Sequence, residues 1–530
     1  MTPSPASDRH RSAPSGARRA RYGRAALTVA AAVTLAVTAP ALGALAAGTA
    51  APAPTVTVDF TNPIGALARH AFAGTISTYG GAAALPASTA QRSHLAALGL
   101  GTYRVPLQWN GGSPVSAAGG GPRDVPGATW LSAIAATGAT PTVVIGGATG
   151  DNAFTAADAA AMVGWANGPG GVHVTDWVIG NEPGNGGMSM ADYCRLFVDA
   201  AQAMKAVDPT IRVAGPAWSW FDSSALQQFL TCAGSVVDVV DYHHYAMGGT
   251  ALDSAQALAE TGTWESEVQQ VEAMIRATVP DRADRIEVQV GEYNWSWRAD
   301  DGYPGWQGDD RFYSPVAAVW TASVAGHIAR AGGRGHQYSD LNGALGLTFE
   351  DAAAAAHFGR AVNDPMPSYR GLEMFTGGGV FRGFGTTLVS ATTTLPDVEV
   401  FASTGEKDVV LINKSATTAR TADVALAGFG AGTAQVWRTS DTSAFDPPTQ
   451  VSTSAVDGAL SLSLPPYSVT TVVLTPAGTA TPSTSSSSST SSSSSTASTS
   501  GAAAVPAPAT ATSSAAASSR PPRHRRRVLG

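Results

Sequence analysis

Between about Phe72 and Phe375 the sequence repeats one pattern, a short unalternating apolar run followed by a longer Ala-rich amphipathic stretch. The short runs include Gly101–Pro106, Thr142–Gly146, Asp176–Gly180, Arg212–Pro216, Val236–Tyr242 and Ile286–Gly291. A strand with one wet face alternates apolar and polar residues, whereas a parallel strand covered on both faces does not. The stretches between the runs, such as Met190–Val207, Thr263–Ala277 and Pro315–Ala331, have helical length and period. Strand–helix repetition over roughly 300 residues predicts an α/β chain closed as a (β/α)8 TIM barrel, placed here at 66–376. The competing arrangement is a doubly wound open sheet. No Gly-rich dinucleotide or phosphate loop follows the first strand to favour it.

After Gly377 the period changes to two. Val398–Ser403, Asp408–Ile412, Ala422–Leu426, Ala434–Thr439, Leu460–Leu464 and Ser468–Thr475 read as short strands split by Gly, Asp, Pro and Ser. They predict a C-terminal antiparallel β-sandwich domain over 377–476. Thr55–Phe60 also alternates, so a strand at 55–62 is expected to cross over and pair with the sandwich. From Ala477 the chain turns to Ser/Thr runs, then Ala/Pro, then Pro521-Pro522-Arg523-His524-Arg525-Arg526-Arg527. Nothing there can bury a core, so 477–530 is expected to be a disordered tail. It is either a wall-associated spacer with a cationic end or dispensable.

The first 46 residues read as a signal peptide. Arg9, Arg11, Arg18, Arg19, Arg21 and Arg24 precede an apolar run from Ala25 to Thr38, and Ala44-Leu45-Ala46 supplies the small residues of a cleavage site. Pro40 breaks the run, which is short for a membrane anchor, so a secreted protein without stable membrane insertion is expected. The Arg18-Arg19 pair also fits a twin-arginine signal. The formal charge of −7 conceals basic ends, so the middle is more acidic still and would repel nucleic acid. The two cysteines, Cys194 and Cys232, would be permitted a disulfide outside the cell, or could be two buried thiols. No further Cys or His stands beside either at ligand spacing, so no metal and no cofactor are expected.

Two carboxylates carry the chemistry. The run Trp177-Val178-Ile179-Gly180-Asn181-Glu182-Pro183 is an apolar strand that ends in Asn-Glu, with Pro then stopping the sheet. In a β/α barrel the C-terminal strand ends face the active site, so Glu182 is presented at the mouth. The run Ile286-Glu287-Val288-Gln289-Val290-Gly291-Glu292-Tyr293-Asn294-Trp295 ends in Gly-Glu-Tyr, with Glu292 again at the strand end. Gly291 there would let a neighbour approach the backbone closely. Counting strands puts Glu182 on the fourth and Glu292 on the seventh.

This pair resembles clan A of the glycoside hydrolases, retaining β/α-barrel enzymes with catalytic Glu on strands four and seven. With the sandwich, the run Tyr242-His243-His244-Tyr245 is similar to the β-xylosidase/iduronidase group and the heparanase-like β-glucuronidases. The resemblance spans about Thr55 to Pro476. Pro367-Ser368-Tyr369-Arg370-Gly371-Leu372 resembles the start of the clan's eighth helix, and the region Gly346–Glu350, taken as strand eight, offers Phe349 as its aromatic. The resemblance implies Glu182 as general acid/base and Glu292 as nucleophile, with Arg104 and Tyr245 on Glu292. It also implies Asn181 on the sugar 2-hydroxyl and His243 in the substrate site.

Retention needs one carboxylate to attack the anomeric carbon and another acid to protonate the leaving oxygen, about 5–5.5 Å apart. The expected function is therefore a secreted retaining hydrolase of a β-linked oligo- or polysaccharide. The alternative is an inactive glycan-binding or wall-associated protein on the same fold. Arg104 could also be a structural ion pair, and His243 or His244 a core histidine. Trp109, Trp218, Trp220, Trp295, Trp297 and Trp306 all follow barrel strands, where indole faces could stack on sugars. Trp109, Trp218, Trp295 and Trp297 are taken as substrate contacts, core packing being the other use of such residues.

Overall fold

The computed structural model describes residues 53–76, 78, 84–116, 125–146, 153–247, 252–297, 309–339, 345–439 and 444–478. The signal peptide expected over 1–46, Trp306 and all but the first two residues of the expected tail lie outside them.

The first strand, β1 (Val56–Ala66), belongs to a second sheet, and the barrel begins with β2 (Phe72–Thr75). Then follow β3 (Thr102–Trp109), its hairpin partner β4 (Pro114–Ser116), β5 (Thr140–Ile145), β6 (Asp176–Ile179) and β7 (Arg212–Trp218). The barrel is completed by β8 (Val239–Met247), β9 (Glu287–Ser296) and β10 (Arg334–Gln337). With β4 set aside, eight strands run parallel, and β10 returns to pair with β2, which closes the barrel. The fold is thus the closed β/α barrel, not the open sheet.

The eighth strand is not where the sequence placed it. It is Arg334–Gln337, about ten residues before Gly346–Glu350. Phe349 is fully buried among Tyr313, Phe358 and Phe445 and does not line the cleft. The strand escapes an apolar search because it is polar. Arg334 is fully buried and donates to Gln289 at 2.6 Å, with Asp176 3.5 Å away, so the barrel interior holds it by charge and hydrogen bonds.

Helices α1 (Thr89–Leu98), α2 (Gly127–Ala135), α3 (Ala156–Asn167), α4 (Met190–Val207), α5 (Ser223–Ala233), α6 (Ser254–Ala259), α7 (Thr263–Thr278), α8 (Pro315–Arg330), α9 (Ala352–His357) and α10 (Pro367–Thr376) accompany the barrel. Side chains cap the starts of several of them. Ser189 accepts from the Asp192 N–H before α4, Asp222 from Ser224 and Ala225 before α5, and Thr155 forms a capping box with Asp158 before α3. On α4, Met190, Tyr193, Cys194, Phe197, Ala201 and Met204 form the buried stripe. The two cysteines are joined, so a disulfide ties α4 to α5 at Cα–Cα 6.2 Å.

The second sheet adds β11 (Thr387–Thr393), β12 (Val398–Thr404), β13 (Lys407–Asn413), β14 (Arg420–Ala427), β15 (Ala431–Arg438), β16 (Thr449–Asp457), β17 (Ala459–Leu464) and β18 (Ser468–Pro476). Its order is β16-β15-β18-β13-β12-β11-β1-β14-β17, antiparallel throughout except where β1 lies parallel to β14. Val436 and Val456 near one edge and Val424 and Leu464 near the other share one core with Val58, Val400 and Leu411. The sheet therefore folds over itself as a sandwich. The other face of its central strands packs on the barrel, where Phe401, Val410, Ile412 and Val469 join the barrel core. As a result α8 is buried on every side from Val316 to Ala329. Gly326 admits the contact, because a Cβ there would lie 2.6 Å from the Phe401 ring.

Candidate active site

Strand β6 ends at Ile179, and the chain then turns sharply through Gly180 and Asn181. Glu182 itself has φ 45° and ψ 52°, a left-handed conformation that costs a non-glycine residue of order 1 kcal/mol or more. The turn is held from below. The Glu182 N–H donates to Ala217 O at 3.0 Å, Tyr193 Oη donates to Ile179 O at 2.6 Å, and the Trp218 ring packs on Gly184. Its carboxylate is steered by Asn185, whose Nδ2 donates to Glu182 Oε2 at 2.8 Å while its Oδ1 accepts from Ser219 Oγ at 3.0 Å.

Glu292 does not end its strand, since β9 runs on to Ser296. The register against β8 shifts between Tyr242 and His243, and Gly291 sits at the irregularity. A Cβ on Gly291 would lie 2.2 Å from Oδ1 of the buried Asp241, so Asp241 is the close neighbour that this glycine admits. Glu292 is only 8% exposed. Arg104 on β3 pairs with its Oε1, and Tyr245 Oη donates to its Oε2 at 2.6 Å. Arg104 Nη2 also donates to Asn181 Oδ1 at 2.5 Å, which leaves the Asn181 Nδ2 uncommitted to that contact.

His243 joins the two carboxylates. Its Nδ1 lies 2.8 Å from Glu182 Oε1 and 3.5 Å from Glu292 Oε2, and Arg104 Nη2 is 3.3 Å from its Nε2. Burial opposes charge on His243, but Glu292 and Glu182 outweigh burial and raise its pKa. Burial likewise opposes charge on Glu292. His243, Arg104 and the Tyr245 hydroxyl outweigh it and hold that carboxyl below its usual range. Glu182, His243 and Glu292 offer ligand atoms within 4.8 Å of one another, the one such group found among the described residues. Arg104 already sets positive charge against Glu292 there, and a cation would have to displace the hydrogen bond between His243 and Glu182.

A cleft of about 620 Å³ opens above these groups, lined by both carboxylates together with Asn185, Ser219, Trp220, Phe221, His244, Tyr245, Glu267, Trp297 and Tyr338. Of the four tryptophans expected to contact substrate, Trp297 (49% exposed) lines it, joined by Trp220 (51%). The other three, Trp109, Trp218 and Trp295, are not among the described residues that line it. Trp295 is 1% exposed and faces Trp320 on α8, because in the strand it shares the outward face of Tyr293 rather than the face of Glu292. Trp218 is buried against Gly184 and braces the Glu182 turn. Trp109 packs half-buried on the barrel core beside the β3–β4 hairpin.

Tyr338 was missed. It directly follows β10 and meets Tyr245 edge-on at 5.6 Å, so the correct position of strand eight would have pointed to it. Glu267 was missed because it lies on α7, where the pattern reads as an ordinary amphipathic helix.

Residues 170–316, from just before β6 to the start of α8, match the model of Glycosyl hydrolases family 39. That match on this barrel defines the class: the chain is a glycosidase, similar to clan A of the retaining glycoside hydrolases. Among solved structures, the α-L-arabinofuranosidase from Thermotoga maritima is 16% identical with TM-score 0.62, over 80% of this chain and 100% of that one. A bifunctional glucanase–xylanase from a metagenome library is 17% identical with TM-score 0.58, over 80% and 99%. A xyloglucanase of glycoside hydrolase family 44 from Paenibacillus polymyxa is 16% identical with TM-score 0.55, over 79% and 99%. Comparison with curated protein sequences gives no match.

Proposed function

We propose that this chain is a secreted retaining hydrolase of β-linked oligo- or polysaccharide, with Glu182 as acid/base and Glu292 as nucleophile. The observation that carries the reading is the spacing of the two carboxylates, which present oxygens within 4.8 Å of each other across His243. Double displacement uses a separation of about 5–5.5 Å, whereas an inverting pair stands about 6.5–9.5 Å apart to admit a water. The electrostatics support this division of roles. Glu292, held below the usual carboxyl range by His243, Arg104 and Tyr245 against the cost of burial, is the charged attacking group. Glu182, steered by Asn185 at the cleft wall, delivers a proton to the leaving oxygen and afterwards takes one from water.

As the glycosyl ester forms, negative charge leaves Glu292 and appears on Glu182. His243, which touches both, stays beside an anion throughout. Asn181, oriented by Arg104, turns its amide toward the sugar 2-hydroxyl. Action outside the cell is supported by the basic and apolar N-terminal run and by the Cys194–Cys232 disulfide, a bond that persists in oxidising compartments. Removal of the acid tests the pairing of roles. Glu182→Ala should retain turnover of dinitrophenyl glycosides but lose nitrophenyl and natural substrates, and azide should restore turnover as a glycosyl azide. Equal loss on all substrates with no azide product would remove Glu182 from the role.

A further inference from the structure

One wall of the cleft takes no part in the chemistry just described. His244 follows His243 on β8 but turns the other way, toward α7. Its ring stacks on Trp264 with centroids 4.0 Å apart and planes 15° from parallel, and its Nδ1 lies 2.8 Å from Oε2 of Glu267. Trp264 is itself fully buried and backed edge-on by Trp320 at 5.5 Å. The imidazole is therefore fixed on one face and at one nitrogen, with Nε2 and the second face left for the cleft that it lines.

Glu267 is the odd member of its helix. The buried side of α7 is Trp264, Val268, Val271 and Ile275, and Glu267 lies among them, almost fully buried, with His244 as its hydrogen-bond partner. An acid in an apolar stripe weakens a helix that Leu or Val would stabilise. The fold has no evident need of it, but the cleft does. The Glu267 carboxylate can accept from one sugar hydroxyl while the fixed imidazole, whose Nδ1 is engaged by Glu267, offers its Nε2 to the adjacent one.

The charge around the cleft sets which sugar can enter. Its described lining carries Glu182, Glu267 and Glu292 against His244, while Arg104 and His243 lie behind Glu292 and Glu182 and are already engaged by them. A uronic acid would bring a fourth carboxylate into that ring. Resting on the hydrolase reading above, we propose that the His244–Glu267 pair is the specificity site of this glycosidase and selects an uncharged sugar with adjacent hydroxyls over a uronic acid.

The test compares nitrophenyl xyloside, arabinofuranoside, glucoside and glucuronide on the full protein. The best neutral substrate should exceed the glucuronide by about 100-fold or more in kcat/KM. Glu267→Gln and His244→Gln should each raise KM for that substrate about tenfold, change kcat by less than about threefold, and narrow its advantage over the glucuronide. His244→Gln changes only a cleft-wall residue and serves if the buried Glu267→Gln fails to fold. Equal turnover of the glucuronide, or an unmoved KM in the folded variants, would overturn the inference. Saturation-transfer NMR of the Glu292→Gln protein with xylose and with glucuronic acid separates this from the hydrolase reading. Binding of xylose alone sustains the inference even where no glycoside is cleaved. Binding of glucuronic acid, or of neither sugar, overturns it.

Discussion

Nδ1 of His243 stands 2.8 Å from Oε1 of Glu182 and 3.5 Å from Oε2 of Glu292, so a single imidazole bridges the two carboxylates of the site. Its pKa is raised by Glu292 and Glu182 against the opposing effect of burial. The charged ring therefore persists to higher pH than an ordinary histidine and is lost as pH rises through that raised value. We expect the alkaline limb of kcat/KM in the wild-type enzyme to lie above the usual histidine range. His243→Asn should lower kcat/KM by about 10²–10³. Because one cation that depresses Glu292 is gone, the acid limb should move to higher pH. A pH–rate profile of the variant checks both, and unchanged limbs would assign His243 to packing alone.

The interface of barrel and sandwich holds a second charged cluster with the opposite acid response. Glu399 of β12 meets Ser323 and His327 of α8 and pairs with Lys414, and His327 Nδ1 meets Glu265 Oε2 at 2.7 Å. Burial opposes both acids. His327 and Lys414 nevertheless lower Glu399 to about 2, and His327 and Arg330 lower Glu265 to about 2. Their contribution to stability is complete above the ordinary value of 4.5 and is lost as pH falls toward 2. His327, raised by those same acids against burial, contributes below 6.5 and loses its share as pH rises through its raised pKa. Calorimetry from pH 3 to 9 should therefore show Tm falling on both sides of a maximum near pH 4.5–6.5. Glu399→Gln should cost about 3 kcal/mol at the maximum and flatten the acid slope.

The Cys194–Cys232 bridge closes a separation of 38 residues between neighbouring helices. Loop-closure entropy assigns such a bridge about 3–4 kcal/mol. Cys194→Ala or treatment with reductant should lower Tm by several degrees, with kcat at 25 °C unchanged because neither cysteine lines the cleft. Equal melting of the reduced and oxidised protein would show that packing of α4 on α5 already supplies the constraint.

Much of this architecture is legible in the sequence for a physical reason, since strands buried on both faces must be apolar and helices over them must be striped. The two glutamates are legible because each interrupts such a run with a charge. What escaped detection breaks the same rules. Strand β10 is polar because Arg334 is satisfied by Gln289 and Asp176 inside the barrel. Strand β16 lies at a sheet edge, exposed at nearly every position, so it has no apolar alternation to detect. Trp295 and Trp297 share a sequence neighbourhood, yet only Trp297 lines the cleft, because β9 still runs through Trp295 and ends at Ser296. Glu267 and Asp241 depend on which strand or helix faces them, and spacing in one chain does not encode that.

The central claim is that Glu292 forms a covalent bond to the sugar. A 2-fluoro glycoside of the preferred sugar slows both steps, because the fluorine withdraws electrons and removes the hydroxyl assigned to Asn181. A good leaving group keeps the first step faster than the second, so the ester should accumulate. Mass spectrometry of the digested protein should find the glycosyl label on Glu292 within Val290–Trp297, with none on the Glu292→Gln variant. Proton NMR should show the first released sugar in the configuration of the substrate. An inverted first product with no labelled peptide would contradict the account, since it requires a water between carboxylates whose oxygens here approach within 4.8 Å.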